Sequence, residues 1–78
     1  MRVFFKIELI VESHPPASAR ALRLPLAAIV DAYAVEVVRA VDEHECDIFM
    51  SCGQVVRANA PLDKVLDLMR EAEAVAAP

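Results

Sequence analysis

The stretch 22–41, LRLPLAAIVDAYAVEVVRAV, limits the fold more than any other part of the chain. It is the longest apolar segment, so the remaining elements must pack against whatever it forms. A membrane span is excluded by Arg23, Asp31, Glu36 and Arg39 within it, since one acidic residue at midspan costs about 2.5–3.5 kcal/mol on insertion scales. Advancing about 100° per residue from Pro25 gathers Leu26, Ile29, Val30, Tyr33, Ala34, Val37, Val38 and Val41 on one side of a helical wheel. Asp31, Glu36 and Arg39 fall opposite, with Val35 as the misfit. Pro25 suits a helix's first turn, where its missing N–H is not needed. The spacing predicts one amphipathic helix from Pro25 to about Val41. A rival stays open: Val35, Val37, Val38 and Val41 are strand formers, so the helix could stop near Ala34 with a strand over 35–41. No Gly, Pro or Asn separates the two halves, which favours the single helix.

The flanking segments read as strands and a second helix. Val3, Phe5, Ile7, Leu9 and Val11 alternate with Arg2, Lys6, Glu8 and Glu12, the period of a strand; Phe4 and Ile10 imply partial cover of its second face. Ser13-His14-Pro15-Pro16 ends that strand. After a polar break at 42–45, residues 47–51 and 54–58 flank Cys52 and Gly53, the only glycine in the chain, which predicts a tight hairpin. Asn59 can cap a following helix with Pro61 in its first turn, and Leu62, Val65, Leu66, Met69 and Ala72 recur at helical spacing. The expected architecture is a single small α+β domain over residues 1–78, in the order β-α-β-β-α. It is a two-layer sandwich, a small and mainly antiparallel sheet covered by two helices.

Composition removes several function classes. A net charge of -4 offers no basic footprint for nucleic acid. The start, MRVFFKIELIV, is no secretory leader, because Lys6 and Glu8 interrupt its apolar run. A cytoplasmic location follows as the expectation, with no membrane partner. Cys46 and Cys52 stand at the two ends of a strand-and-turn segment. Fully extended, it would hold their Cα atoms about 20 Å apart, beyond the reach of a disulfide. Free thiols agree with a reducing compartment.

Few residues invite chemistry. His14 lies between a strand end and the expected helix, where helix-end N–H groups favour an anion such as a phosphoryl group. Arg20 and Arg23, near the expected helix start, are candidate phosphate contacts; a solvated surface role is the plainer alternative for all three residues. His44-Glu45-Cys46 with Cys52 matches no zinc spacing, so no metal site is expected. One glycine leaves no phosphate cradle, no nucleophile elbow is present, and no cofactor is implied. Tyr33, Phe49 and Met50 are core candidates before they are ligand contacts. No complete catalytic constellation stands in the chain, which weighs against an enzyme.

Residues 47–69, DIFMSCGQVVRANAPLDKVLDLM, together with Pro25-Leu26-Ala27-Ala28-Ile29-Val30 and Ala32-Tyr33, resemble the histidine-containing phosphocarrier (HPr-like) family of the sugar phosphotransferase system. The resemblance implies a strand–helix–strand–strand–helix order and a carrier histidine that passes a phosphoryl group between phosphotransferase-system enzymes. In that family the histidine stands three residues before the helix proline. Leu22 holds that place here, which leaves His14 as the acceptor. The family's regulatory serine is replaced within Ala60-Pro61-Leu62, and its last strand and helix lie beyond the chain's end. The resemblance therefore implies either a phosphocarrier or a degenerate regulatory relative without phosphoryl transfer. The residues themselves support a second reading, a non-catalytic protein–protein interaction or subunit-assembly module, with a homodimer through an exposed sheet edge as one form.

Overall fold

Among the described residues, one antiparallel sheet of five strands carries a single α-helix. The computed structural model describes residues 3–12 and 22–76. In chain order its elements are β1 (Phe4–Glu12), β2 (Arg23–Asp31), a 3-10 turn (Ala32–Ala34), β3 (Val35–Ala40), β4 (Cys46–Met50), β5 (Val55–Ala58) and α1 (Leu62–Ala76). The strands lie side by side as β2-β1-β5-β4-β3.

The alternation in β1 sets the layers. Val3, Phe5 and Ile7 are buried beneath α1, and the register stacks Phe5 on Val30, Ile7 on Ala28 and Leu9 on Leu26 along that same face. Cys46, Ile48 and Ala58 from the central strands join them, and Val65 of α1 fills the space above. Met69 and Ala72 continue the helical stripe that the spacing predicts, and Leu68, outside that stripe, packs on the core beside them. The hairpin also forms as expected. Gly53 takes φ +92, and the turn closes with the Met50 N–H donating to the Gln54 carbonyl (2.8 Å) and the Gly53 N–H to the Met50 carbonyl (2.9 Å). Asn59 does not act as the expected cap. Its side-chain amide donates to Glu8 and ties the end of β5 to β1, while α1 opens from the Pro61 carbonyl, which accepts from Lys64 and Val65 (3.1 and 3.2 Å).

The expected β-α-β-β-α sandwich with two covering helices is overturned. Residues 22–41 form no α-helix. They make β2, the 3-10 turn and β3, so the fold is mostly sheet, with α1 its one α-helix among the described residues. The rival reading of a strand over 35–41 is the better half of the forecast, but it kept a helix up to Ala34, and that part is also corrected. The physical reason is the partner available to each end. As a strand, β2 pairs with β1 from Phe4↔Asp31 to Glu12↔Arg23, satisfying a ladder that a helix would leave open. Asp31 stops the strand by folding its carboxylate onto the Tyr33 N–H (3.0 Å), an Asx turn that replaces the Gly or Pro a break was expected to need. A register shift between Val35 and Val37 then lets Val35 and Val38 both pack on the core, which accounts for the misfit on the wheel. Pro25 sits within an edge strand rather than in a helical first turn. Among the described residues, no helix is long and apolar enough to cross a membrane.

Candidate functional site

Two features of the sheet lie outside the core, and both arise from its register. The first is a charged band on the face away from α1. Asp47 stands directly between Arg57 on β5 and Arg39 on β3. Arg57 Nε donates to Asp47 Oδ1 at 2.6 Å, and an Arg39 guanidinium nitrogen lies 3.4 Å from Oδ2. Glu45 extends the band: its carboxylate accepts from Arg23 and from Arg57 (3.4 Å), and Arg23 also reaches Glu12, its cross-strand neighbour, at 3.6 Å. Arg39 lies over the Phe49 ring, 5.1 Å from its centroid. The band therefore crosses the sheet from β2 to β3.

Its electrostatics suit bracing rather than catalysis. The guanidinium of Arg57, through its hydrogen bond and then its charge, holds the Asp47 carboxyl below the usual carboxylate range against the opposing effect of burial; Arg39 adds to this. Asp47 correspondingly pushes Arg57 upward. A carboxylate so held is a poor proton carrier near neutral pH. Each arginine in the band already faces a carboxylate, so none stands as an unpaired cation around which a phosphoryl site could be built. Asp47 remains the one buried charged residue of the described chain, at 8% exposure, with its demand met by these partners.

The second feature is the outer side of β2, an edge of the sheet among the described residues. Asn59 N–H donates to the Glu8 carbonyl (2.9 Å) and Ala32 N–H to the Val3 carbonyl (2.7 Å). In an antiparallel ladder a residue's N–H and C=O point the same way. Even-numbered residues of β1 therefore turn toward β5 and odd-numbered ones toward β2. The register then turns the even-numbered residues of β2 toward β1 and the odd-numbered ones outward. Pro25 is among the latter, so its missing N–H breaks no bond to β1, and the N–H groups of Ala27 and Ile29 point away from the sheet. The side chains beside this edge are apolar on both faces: Leu24 and Leu26 on the helix side are 53% and 51% exposed, and Ile29 on the open face is 64% exposed. A shallow groove of about 770 Å³, lined by Lys6, Ile7, Glu8, Ala27, Ala28 and Ile29, runs along the middle of this hairpin.

Of the residues singled out from sequence, those that the structure describes do not converge. His14 and Arg20 lie outside the described residues. Arg23 begins a strand, engaged by Glu45 and Glu12, and no helix starts beside it. His44 is exposed and pairs with Glu43 (3.4 Å), whereas Cys46 is buried; burial pushes its thiol upward. Cys52 is exposed, and both cysteines are free. Tyr33 is exposed rather than in the core. What sequence reasoning missed is the edge itself. Its signal lies in Leu22, Leu24 and Leu26 alternating with Arg23 and Pro25, a period that the helical spacing of Leu26, Ile29, Val30 and Tyr33 overlaps. Compared with protein-family models, curated proteins and solved structures, the chain has no significant match.

Proposed function

We propose that this chain is a non-catalytic protein–protein association module that works through the edge of its sheet. The observation that carries the reading is β2: an edge strand with outward N–H groups at Ala27 and Ile29 and large apolar side chains exposed on both of its faces. Such an edge is a template for another strand, and proteins that have no use for one blunt it with charge, proline, a bulge or a covering segment. Between Arg23 and Asp31 of β2 one such feature stands, Pro25, and the residues after it, Leu26 to Val30, are apolar throughout. The charged band supports the same reading, because its groups satisfy one another and stiffen the sheet without presenting a reactive atom.

The phosphocarrier reading placed a helix end near Pro25 to hold a phosphoryl group, and those residues are in β2, so that part of its geometry does not support it. Sedimentation velocity over a wide concentration range, together with affinity capture on the tagged chain, tests the association reading. Concentration-dependent association, or a stoichiometric partner released by substitution of Leu26 and Ile29, is expected. A chain that stays monomeric and retains no partner would defeat it.

A further inference from the structure

Resting on that reading, we infer that the partner of β2 is a second copy of this chain, joined antiparallel about a two-fold axis at Ala27. The inference comes from the pattern of residues on the outward side of the strand. With the axis at Ala27, each outward residue meets its counterpart at equal distance on the other side of the axis. Ala27 faces the partner's Ala27, Ile29 faces the partner's Pro25, and Arg23 faces the partner's Asp31. The small residue stands at the crossing point, apolar side chains meet apolar ones, and an opposite-charge pair closes each end. Between these positions Leu26 meets the partner's Ala28 and Leu24 the partner's Val30, extending the apolar stripe of the helix side across the junction.

Pro25 is the cost of this register: it offers no N–H to the partner's Ile29 carbonyl, so each Pro25–Ile29 pair keeps one ladder bond of two, from the partner's Ile29 N–H to the Pro25 carbonyl. Moving the axis by one residue loses the complementarity. An axis at Leu26 sets Arg23 against the partner's Ile29, and an axis at Ala28 sets Asp31 against the partner's Pro25. Arg23 and Asp31 both have capacity for the contact. Among the described residues, Arg23 uses Nε toward Glu12 and one terminal nitrogen toward Glu45, leaving the other terminal nitrogen; Asp31 uses Oδ1 toward Tyr33, leaving Oδ2. The helix does not obstruct the approach, since α1 packs chiefly on β1, β3 and the 3-10 turn. Symmetric, isologous pairing of this kind is the commonest way a soluble chain makes a dimer.

The test is cross-linking through a single introduced cysteine in a Cys52→Ser background, where the remaining Cys46 is buried. Residues directly opposite on antiparallel strands sit about 5.5 Å apart at Cα, within disulfide reach. Ala27→Cys is expected to give a disulfide-linked dimer under mild oxidation, and Ile29→Cys is not. Alongside it, Asp31→Asn keeps the acceptor for the Tyr33 N–H and removes the charge, and is expected to weaken the dimer several-fold at low salt. Dimerisation without Ala27→Cys cross-linking, or with preferential linking at Ile29→Cys, overturns this pairing while leaving association itself standing. A monomeric chain at every concentration that still captures a different protein through β2 also overturns the pairing and spares the wider reading. Loss of both dimer and captured partner removes the two together.

Discussion

Asp47 shows what a residue can do on the uncovered face of a sheet. It is buried there by the arginines on each side rather than by the helix. Its folded-state pKa lies below the value of about 3.9 expected for an unfolded aspartate. Ionised Asp47 therefore favours the fold. That contribution is whole above about pH 4 and is lost as pH falls through the lower folded value. Asp47→Asn should cost about 1–3 kcal/mol near neutral pH, and the variant and the natural chain should converge in acid, as urea unfolding at the two pH values would report. A variant equally destabilised at both would mean that shape, not charge, is what Asp47 supplies. The cysteines make a second residue-scale prediction. Burial raises the Cys46 thiol and shields it, while Cys52 stands in the open turn. A thiol reagent should modify Cys52 in the folded chain and reach Cys46 only after denaturation. Two equally fast native reactions would contradict the buried placement.

At the scale of elements, the hairpin gives the sharpest forecast. Gly53 has φ +92 and open space where a Cβ would stand, so Gly53→Ala meets backbone strain and no clash. It should cost about 1–2 kcal/mol, seen as a lower urea midpoint at unchanged slope. The same hairpin, β1 and α1 were legible in the sequence because each has one dominant signal: a period of two in Val3-Phe5-Ile7, a lone glycine between strand formers, and helical spacing in Val65, Met69 and Ala72. Residues 22–41 were not, because apolar side chains occur there on nearly every position. Leu24, Leu26, Ala28 and Val30 satisfy a strand, while Leu26, Ile29, Val30 and Tyr33 satisfy a helix. Local pattern leaves such a tie to be broken by tertiary partners, here the ladder offered by β1. The charged band was hidden for a related reason. Arg39 and Arg57 meet Asp47 from positions 8 and 10 residues away, which only the register brings together. The sequence marks Arg23 as a phosphate contact at a helix start, whereas the chain there is a strand, and the outward edge of β2 exists only in that strand.

For the molecule as a whole, the question is how a 78-residue chain holds its shape with one helix over one face of a sheet. Chains of this size bury a modest share of their surface and commonly need a further source of stability. The core here lies under α1, in Val3, Phe5, Ile7, Ile48 and Val65, whereas the outer part of the β1–β2 hairpin leaves Val11, Leu24 and Leu26 exposed. Pairing of β2 with a second copy would cover part of that surface and would link folding to association. Linked equilibria make a direct prediction: above the dissociation constant, each tenfold rise in concentration should raise the melting temperature by about 3–5 °C for a dimer of chains this small. In Ala27→Pro the dependence should vanish. That substitution removes an outward N–H at the two-fold axis and touches no bond to β1, so the monomer should still fold, with the far-ultraviolet circular dichroism of the natural chain. A melting temperature that ignores concentration in both proteins would mean that the single chain carries all of its own stability, and that the exposed edge of β2 is tolerated rather than used.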